Sequence, residues 1–149
     1  MSTPDCVRDL RAVIGTRPIN LVGAGAVVTN AHGHVLLCRR VGGSTWGVPT
    51  GISELGEVLE DMLRREVHEE TGLHVHAAEL LNVVSGPDTY RRLANDHEFY
   101  AYTALYRVTA WSGTPQPDGV EIAELSFFAP HTLPPLGGPV ARRAVQVGA

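Results

Sequence analysis

The sequence predicts a layered α/β (α+β) sandwich, with helices packed on a mixed sheet. Three observations predict it. The chain has 149 residues, the length of one domain able to bury a core. Hydrophobic residues make up 44% and charged residues 19%, the balance of a folded globular protein rather than a disordered tail. Valine-rich, strand-like segments alternate with a few amphipathic ones, and no repeat or linker divides residues 1–149.

The elements follow in order. Residues 6–14 form a short amphipathic helix with Val7, Leu10, Val13 and Ile14 on one side, ended by Gly15 and Pro18. Residues 19–29 are apolar and read as a buried strand. The turn Asn30-Ala31-His32-Gly33 leads into a second strand over 35–40, so the two are expected to form a hairpin. Residues 41–56 are rich in Gly, Ser, Thr and Pro and read as an ordered functional loop. The clearest helix runs over 58–71, with Gly72 as its C-terminal cap. Strands are expected over 74–85, 98–110 and 124–129, with a polar loop over 86–97. The segment after Ala110 holds six of the ten prolines and ends in a short helix near 140–147.

Composition excludes several functions. Twelve basic residues against sixteen acidic ones give a net charge of -4, which argues against a coat for duplex nucleic acid. Two distant cysteines, Cys6 and Cys38, fit a reducing compartment better than a disulfide scaffold. Residues 1–9 lack the apolar run of a signal peptide, and residues 21–28 are too short to span a bilayer, so a cytoplasmic protein without a membrane is expected. The acids are unevenly spread. Glu54, Glu57, Glu60, Asp61, Glu66, Glu69 and Glu70 face only Arg64 and Arg65 in one stretch of seventeen residues, a local net of -5 that leaves the remainder at +1.

That stretch breaks its own helical pattern. With Leu59 at zero and about 100° per residue, Leu63, Val67 and Met62 form an apolar stripe. Asp61, Arg64 and His68 fall on the opposite side. Glu66 and Glu70 fall inside the stripe, and Glu69 beside it. Like charges at i,i+4, close to the negative end of the helix dipole, oppose folding unless a cation sits among them. Three carboxylates without a converging His or Cys favour a hard divalent ion, Mg²⁺ or Mn²⁺. The competing reading is a solvated face laced to arginine, which suits Glu60 and Asp61 but not Glu66 and Glu70.

Gly51, five residues, Glu57, seven residues, then Arg65-Glu66-Val67-His68-Glu69-Glu70-Thr71-Gly72-Leu73 resembles the Nudix box of the MutT-like hydrolases. The box covers residues 51–73, and all nine defining positions fit. The flanking Val35-Leu36-Leu37-Cys38-Arg39-Arg40 and Trp46-Gly47-Val48-Pro49 are similar to the family as well. The resemblance implies an α/β/α sandwich with a loop–helix–loop motif. It implies hydrolysis of a pyrophosphate bond in a nucleoside diphosphate linked to another group, with a small-molecule nucleotide as partner.

Residue by residue, the resemblance makes Glu66, Glu69 and Glu70 metal carboxylates. Glu66 is also a candidate to position or deprotonate water. Glu57 would bind an outer metal or brace the loop, Arg65 would orient the acids, and the Thr50 carbonyl would join the metal shell. The family has two glycines where this chain has Thr50-Gly51, which puts the close approach of substrate to that loop in doubt. A further acid from a later loop is expected, and Glu121 is preferred over Glu124, an exposed loop acid being the alternative. Two other readings are a non-catalytic nucleotide-sensing module, which commonly lacks box acids, and a prenyl diphosphate isomerase, which would need a catalytic cysteine.

Weaker signals complete the reading. Arg40 is either a phosphate contact or a solvated strand end. Tyr90, Arg91 and Arg92 lie where the family selects substrates, so Tyr90 is a candidate for base stacking and the arginines for a distal phosphate; plain surface residues are the alternative. His32, His34, His74 and His76 have same-face spacing but lack further ligands for zinc. Gly23-Ala24-Gly25 reads as close strand packing rather than a dinucleotide fingerprint. Trp46 reads as a packing anchor. The N-terminal helix and the strand before the box are candidate elements of a homodimer.

Overall fold

The computed structural model describes residues 3–148, which form two sheets and three helices. In order these are α1 (Asp5–Ile14), β1 (Ile19–Val27), β2 (Val35–Arg40), β3 (Trp46–Gly47), β4 (Thr50–Ile52), α2 (Leu59–Thr71), β5 (His74–Val84), a 3-10 turn (Pro87–Thr89), β6 (Tyr90–Arg92), β7 (Glu98–Ser112), β8 (Ile122–Phe128) and α3 (Pro139–Gly148). The larger sheet has the order β4-β1-β7-β5, with β6 also on β7; the smaller is β3-β2-β8. The larger sheet is mixed, because β1 runs parallel to β7 and antiparallel to β4.

The second half of β1 is apolar without alternation because both its faces are covered there, while Asn20 and Val22 in the first half are exposed. Ala24, Ala26 and Val28 face the α2 side together with Leu36, Met62, Leu63 and Val67. Val27 faces the other side, with Leu37, Leu105 and Ala144 of α3. The same alternation recurs in β7, where Ala104, Tyr106 and Val108 face α2 and Leu105 faces α3. The result is the helix–sheet–helix layering expected from the sequence.

Four expectations need correction. The turn after β1 does form, with the Asn30 and Gly33 amides bonded within it and the Leu36 N–H donating to Val28 O at 2.8 Å. The pairing stops there: β1 and β2 part into different sheets instead of continuing as a hairpin. In α1 the buried residues are Val7 and Arg11, while Leu10 and Val13 are exposed. Arg11 turns inward because its guanidinium donates to three carbonyls, Gly15 O at 3.1 Å, Arg17 O at 2.5 Å and Glu98 O at 2.6 Å. That anchors the helix to the start of β7.

The segment over 86–97 is also more regular than a loop, since β6 pairs with Glu98–Tyr100 of β7. Strand β8 starts at Ile122, two residues before the expected boundary. Among the described residues, no helix is long and apolar enough to cross a membrane.

Candidate active site

The last two turns of α2 carry Glu66 and Glu70 inward. Gly72 closes the helix in the left-handed conformation (φ 76°), its N–H donating to His68 O at 2.9 Å. Glu66 and Glu70 are 3% and 1% exposed and share the buried face with Met62, Leu63 and Val67. Two glycines make room for them. A Cβ on Gly51 would stand 2.3 Å from Glu66 Cγ and Cδ, and one on Gly23 would stand 1.9 Å from Gly51 O. Only hydrogen at both positions lets β1, β4 and Glu66 stack this closely. The Gly23-Ala24-Gly25 run is therefore close strand packing, as expected.

Arg65 ties three of the acids together. Its Nε and Nη2 donate to Glu57 Oε2 and Oε1 at 3.1 and 2.8 Å, its Nη1 donates to Glu66 Oε1 at 2.9 Å, and Glu69 lies 3.9 Å away. Glu57 also accepts the Glu54 N–H at 3.0 Å, which braces the loop before α2. The hydrogen bonds from Arg65 hold the Glu57 carboxyl below its usual range. Burial pushes the Glu66 carboxyl above its usual range despite the same arginine.

Glu70 is in a different situation. Neither of its buried carboxylate oxygens accepts a hydrogen bond. Arg40 Nη2 approaches Oε1 at 3.5 Å, and Arg40 Nη1 approaches Glu121 Oε2 at 3.7 Å. Burial pushes the Glu70 carboxyl up to about 8, with Arg40 opposing and Glu66 and Glu121 reinforcing the rise. Asp118 holds Glu121 in place by accepting the Val120, Glu121 and Ile122 N–H groups at 2.9, 3.0 and 2.8 Å. The ladder between β2 and β8 shifts register between Arg39 and Arg40. Arg39 pairs with Glu124 at 2.5 Å, and Arg40 turns to Glu70 and the cleft.

This donor set fits a hard divalent ion. Oxygen ligands cluster on one helix face, and one buried carboxylate has both oxygens unsatisfied. Among the described residues, no three Asp, Glu, His or Cys side chains already converge as a cage. Glu57 and Glu66 are turned to Arg65 and Glu70 to Arg40, and the Glu69 side chain is 52% exposed. A bound ion would take over charge now balanced by arginine.

Beside the acids opens a cleft of about 350 Å³, lined by Gly23, Thr50 and Gly51, by the apolar Trp46, Val48 and Phe99, and by Arg40 and Arg91. A second cavity of about 230 Å³ shares Leu21, Arg40, Ile52 and Phe99 with it and adds Val7, Arg11 and His97. Among the described residues no acid lines either space. The cleft is therefore lined by apolar, threonine and arginine side chains, and the acids of α2 lie next to it behind Gly51 and Arg40.

The NUDIX domain family profile matches residues 20–147. The chain belongs to the NUDIX domain family. It is 41% identical over 66 residues to a MutT-like protein of Streptomyces ambofaciens, covering 44% of this chain and 43% of that one. It is 40% identical over 78 residues to an RNA pyrophosphohydrolase of Cellvibrio japonicus, covering 52% of this chain and 44% of the relative. The chain thus spans less than half the length of these curated relatives. Among solved structures, a MutT NUDIX hydrolase from Burkholderia pseudomallei is similar with a TM-score of 0.70 and 31% identity, covering 87% of this chain and 98% of that one.

In this NUDIX domain the Thr50 side chain is accommodated by a glycine opposite. A Cβ on Gly25, its partner across the strands, would stand 3.0 Å from the Thr50 methyl. Of the three residues of β6, only Arg91 lines the cleft, where its guanidinium reaches Gly137 O at 3.4 Å. Tyr90 and Arg92 lie on the other face of that strand. Tyr90 bonds to Glu98 and packs on Tyr100, and Arg92 pairs with Asp96 at 2.8 Å. They are not brought to the acids.

Sequence reasoning missed Cys38. It lines the cleft two residues before Arg40, on the same side of β2, and that parity was the available signal. Its thiol donates to Gly47 O at 3.3 Å, and burial pushes it up to about 12. Trp46 packs edge-on against Phe128 at 5.0 Å, as an anchor, and also forms cleft wall.

Proposed function

We propose that this chain is a single-domain, cytoplasmic pyrophosphohydrolase, dependent on Mg²⁺ or Mn²⁺, that cleaves a nucleoside diphosphate linked to a second group. The observation that carries the reading is the Glu70 carboxylate, buried without a hydrogen bond beside Glu66. The names MutT-like protein and RNA pyrophosphohydrolase, carried by relatives, support the class of bond. Two cavities meeting at Arg40, Leu21, Ile52 and Phe99 suit a substrate with two parts.

Glu66, Glu69 and Glu70 would hold the ion, with Glu57 and the Thr50 carbonyl around them. When bound, the ion neutralises phosphate oxygens and makes water a better nucleophile. Arg65 fixes the Glu66 carboxylate and leaves its second oxygen to orient water. Glu66 or Glu121 takes the proton that this water loses. Arg40 and Arg91 meet phosphate charge from the cleft side, and the Trp46, Val48 and Phe99 wall excludes bulk water. Exposed Leu10, Val13 and Val22 support α1 and β1 as elements of a homodimer, for which light scattering at twice the monomer mass is the expected result.

The buried Cys38 thiol, held by a backbone carbonyl and pushed up to about 12, speaks against isomerase chemistry at that cysteine. The retained acids speak against a sensing module. The test is a panel of nucleoside triphosphates, ADP-ribose, dinucleoside polyphosphates and nucleotide sugars, each with Mg²⁺ and with EDTA. Mg²⁺-dependent release of a nucleoside monophosphate from at least one is expected. Turnover of none would overturn the enzyme reading in favour of a sensing module.

A further inference from the structure

We infer that Arg40 is a displaceable counter-cation: it pairs with Glu70 and Glu121 in the metal-free site and, once a divalent ion takes the Glu70 carboxylate, turns into the cleft to contact the substrate's phosphate. This rests on the reading that the acids bind metal.

The two arginines of the site differ in how they are held. Arg65 is locked by three hydrogen bonds of 2.8 to 3.1 Å. Arg40 makes ion pairs of 3.5 and 3.7 Å, longer than the roughly 2.7–2.9 Å of charge-assisted hydrogen bonds, and leaves both Glu70 oxygens unsatisfied. Its contacts with these two carboxylates are thus ion pairs longer than charge-assisted hydrogen bonds. Its side chain is 40% exposed and lines both cavities, so it has space to move into.

An ion held by Glu70 removes the attraction that keeps Arg40 there and adds repulsion. The adjoining space holds no acid, and a phosphate is the group that would receive the freed guanidinium best. Metal and substrate then favour one another: metal frees the residue that binds phosphate, and phosphate keeps that residue from competing with metal. The coupling is reciprocal.

The test is calorimetric titration of Mn²⁺ into the nucleotide-free protein, for the natural chain and for Arg40→Met and Arg40→Lys. Arg40→Met is expected to bind Mn²⁺ about three- to tenfold more tightly, the size of one partly exposed ion pair. Its KM for the magnesium-bound substrate is expected to rise by tenfold or more. Arg40→Lys is expected to stay near the natural affinity for metal. Opposite movement of the two affinities separates this role from a structural one, which would weaken both. If circular dichroism shows Arg40→Met unfolded, Arg40→Gln carries the same expectation. Natural protein that binds Mn²⁺ with Arg40→Met or Arg40→Gln no tighter overturns this inference alone. Natural protein that binds no Mn²⁺ at millimolar concentration overturns the metal reading with it.

Discussion

Gly51 and Glu66 are in such close contact that a methyl group on the glycine would stand 2.3 Å from the carboxyl carbon of the glutamate. The box glycine is thus a packing requirement of the acid. Gly51→Ala is expected to lower turnover by roughly a hundredfold through displacement of Glu66, with the circular dichroism spectrum unchanged. Turnover within a factor of three of the natural enzyme would show that Glu66 can move without consequence.

Gly23 has the same role on the neighbouring strand of the sheet, but against backbone. A Cβ there would collide with Gly51 O, which a rotamer change cannot relieve. Gly23→Ala should cost about 1–3 kcal/mol of stability, seen as a lower urea midpoint. An unshifted midpoint would contradict the tight pairing of β1 with β4.

Glu70 predicts an unusual pH dependence. Its carboxyl is raised from 4.5 to about 8 in the folded chain, so the folded state holds a proton that the unfolded state has already lost. Its contribution to stability is full below about 4.5 and disappears as pH rises through about 8. In EDTA, Tm should fall between those pH values, and more steeply than in Glu70→Gln. Mg²⁺ should flatten the fall, and metal binding should release protons. Equal slopes for the natural chain and Glu70→Gln would remove Glu70 as the cause. Glu57, held low by Arg65, acts in the opposite sense and only at acid pH, where its contribution is lost as pH falls.

Arg65 joins Glu57 to Glu66 through three hydrogen bonds. Arg65→Ala should weaken Mn²⁺ binding by roughly ten- to a hundredfold, because Glu57 and Glu66 lose their shared brace. Arg65→Lys should recover only part, since an ammonium lacks the fork that spans both Glu57 oxygens. Full recovery by lysine would mean that charge alone matters.

The inward acids of α2 were legible because a helix has a fixed period, so Glu66 and Glu70 could be placed in line with Leu63 without any structure. Where strands part is less legible. The chain turns at 30–34 like a hairpin and holds two partners before β1 and β2 enter separate sheets, a choice made by β7 and β8 far along the chain. The α1 face was hidden for a related reason: the inward residue is Arg11, whose burial depends on three carbonyls that no periodicity reveals. Residues 90–92 were read as a loop. Only their strand geometry separates Arg91 from Tyr90 and Arg92.

Whether the buried carboxylates on α2 hold the metal for pyrophosphate hydrolysis is decided by the turnover of Glu66→Gln and Glu70→Gln on the best substrate, with Mg²⁺ present. Both variants keep shape and remove charge. The account predicts folded proteins with turnover lowered by roughly two to four orders of magnitude. Two folded variants that turn over near the natural rate would contradict it.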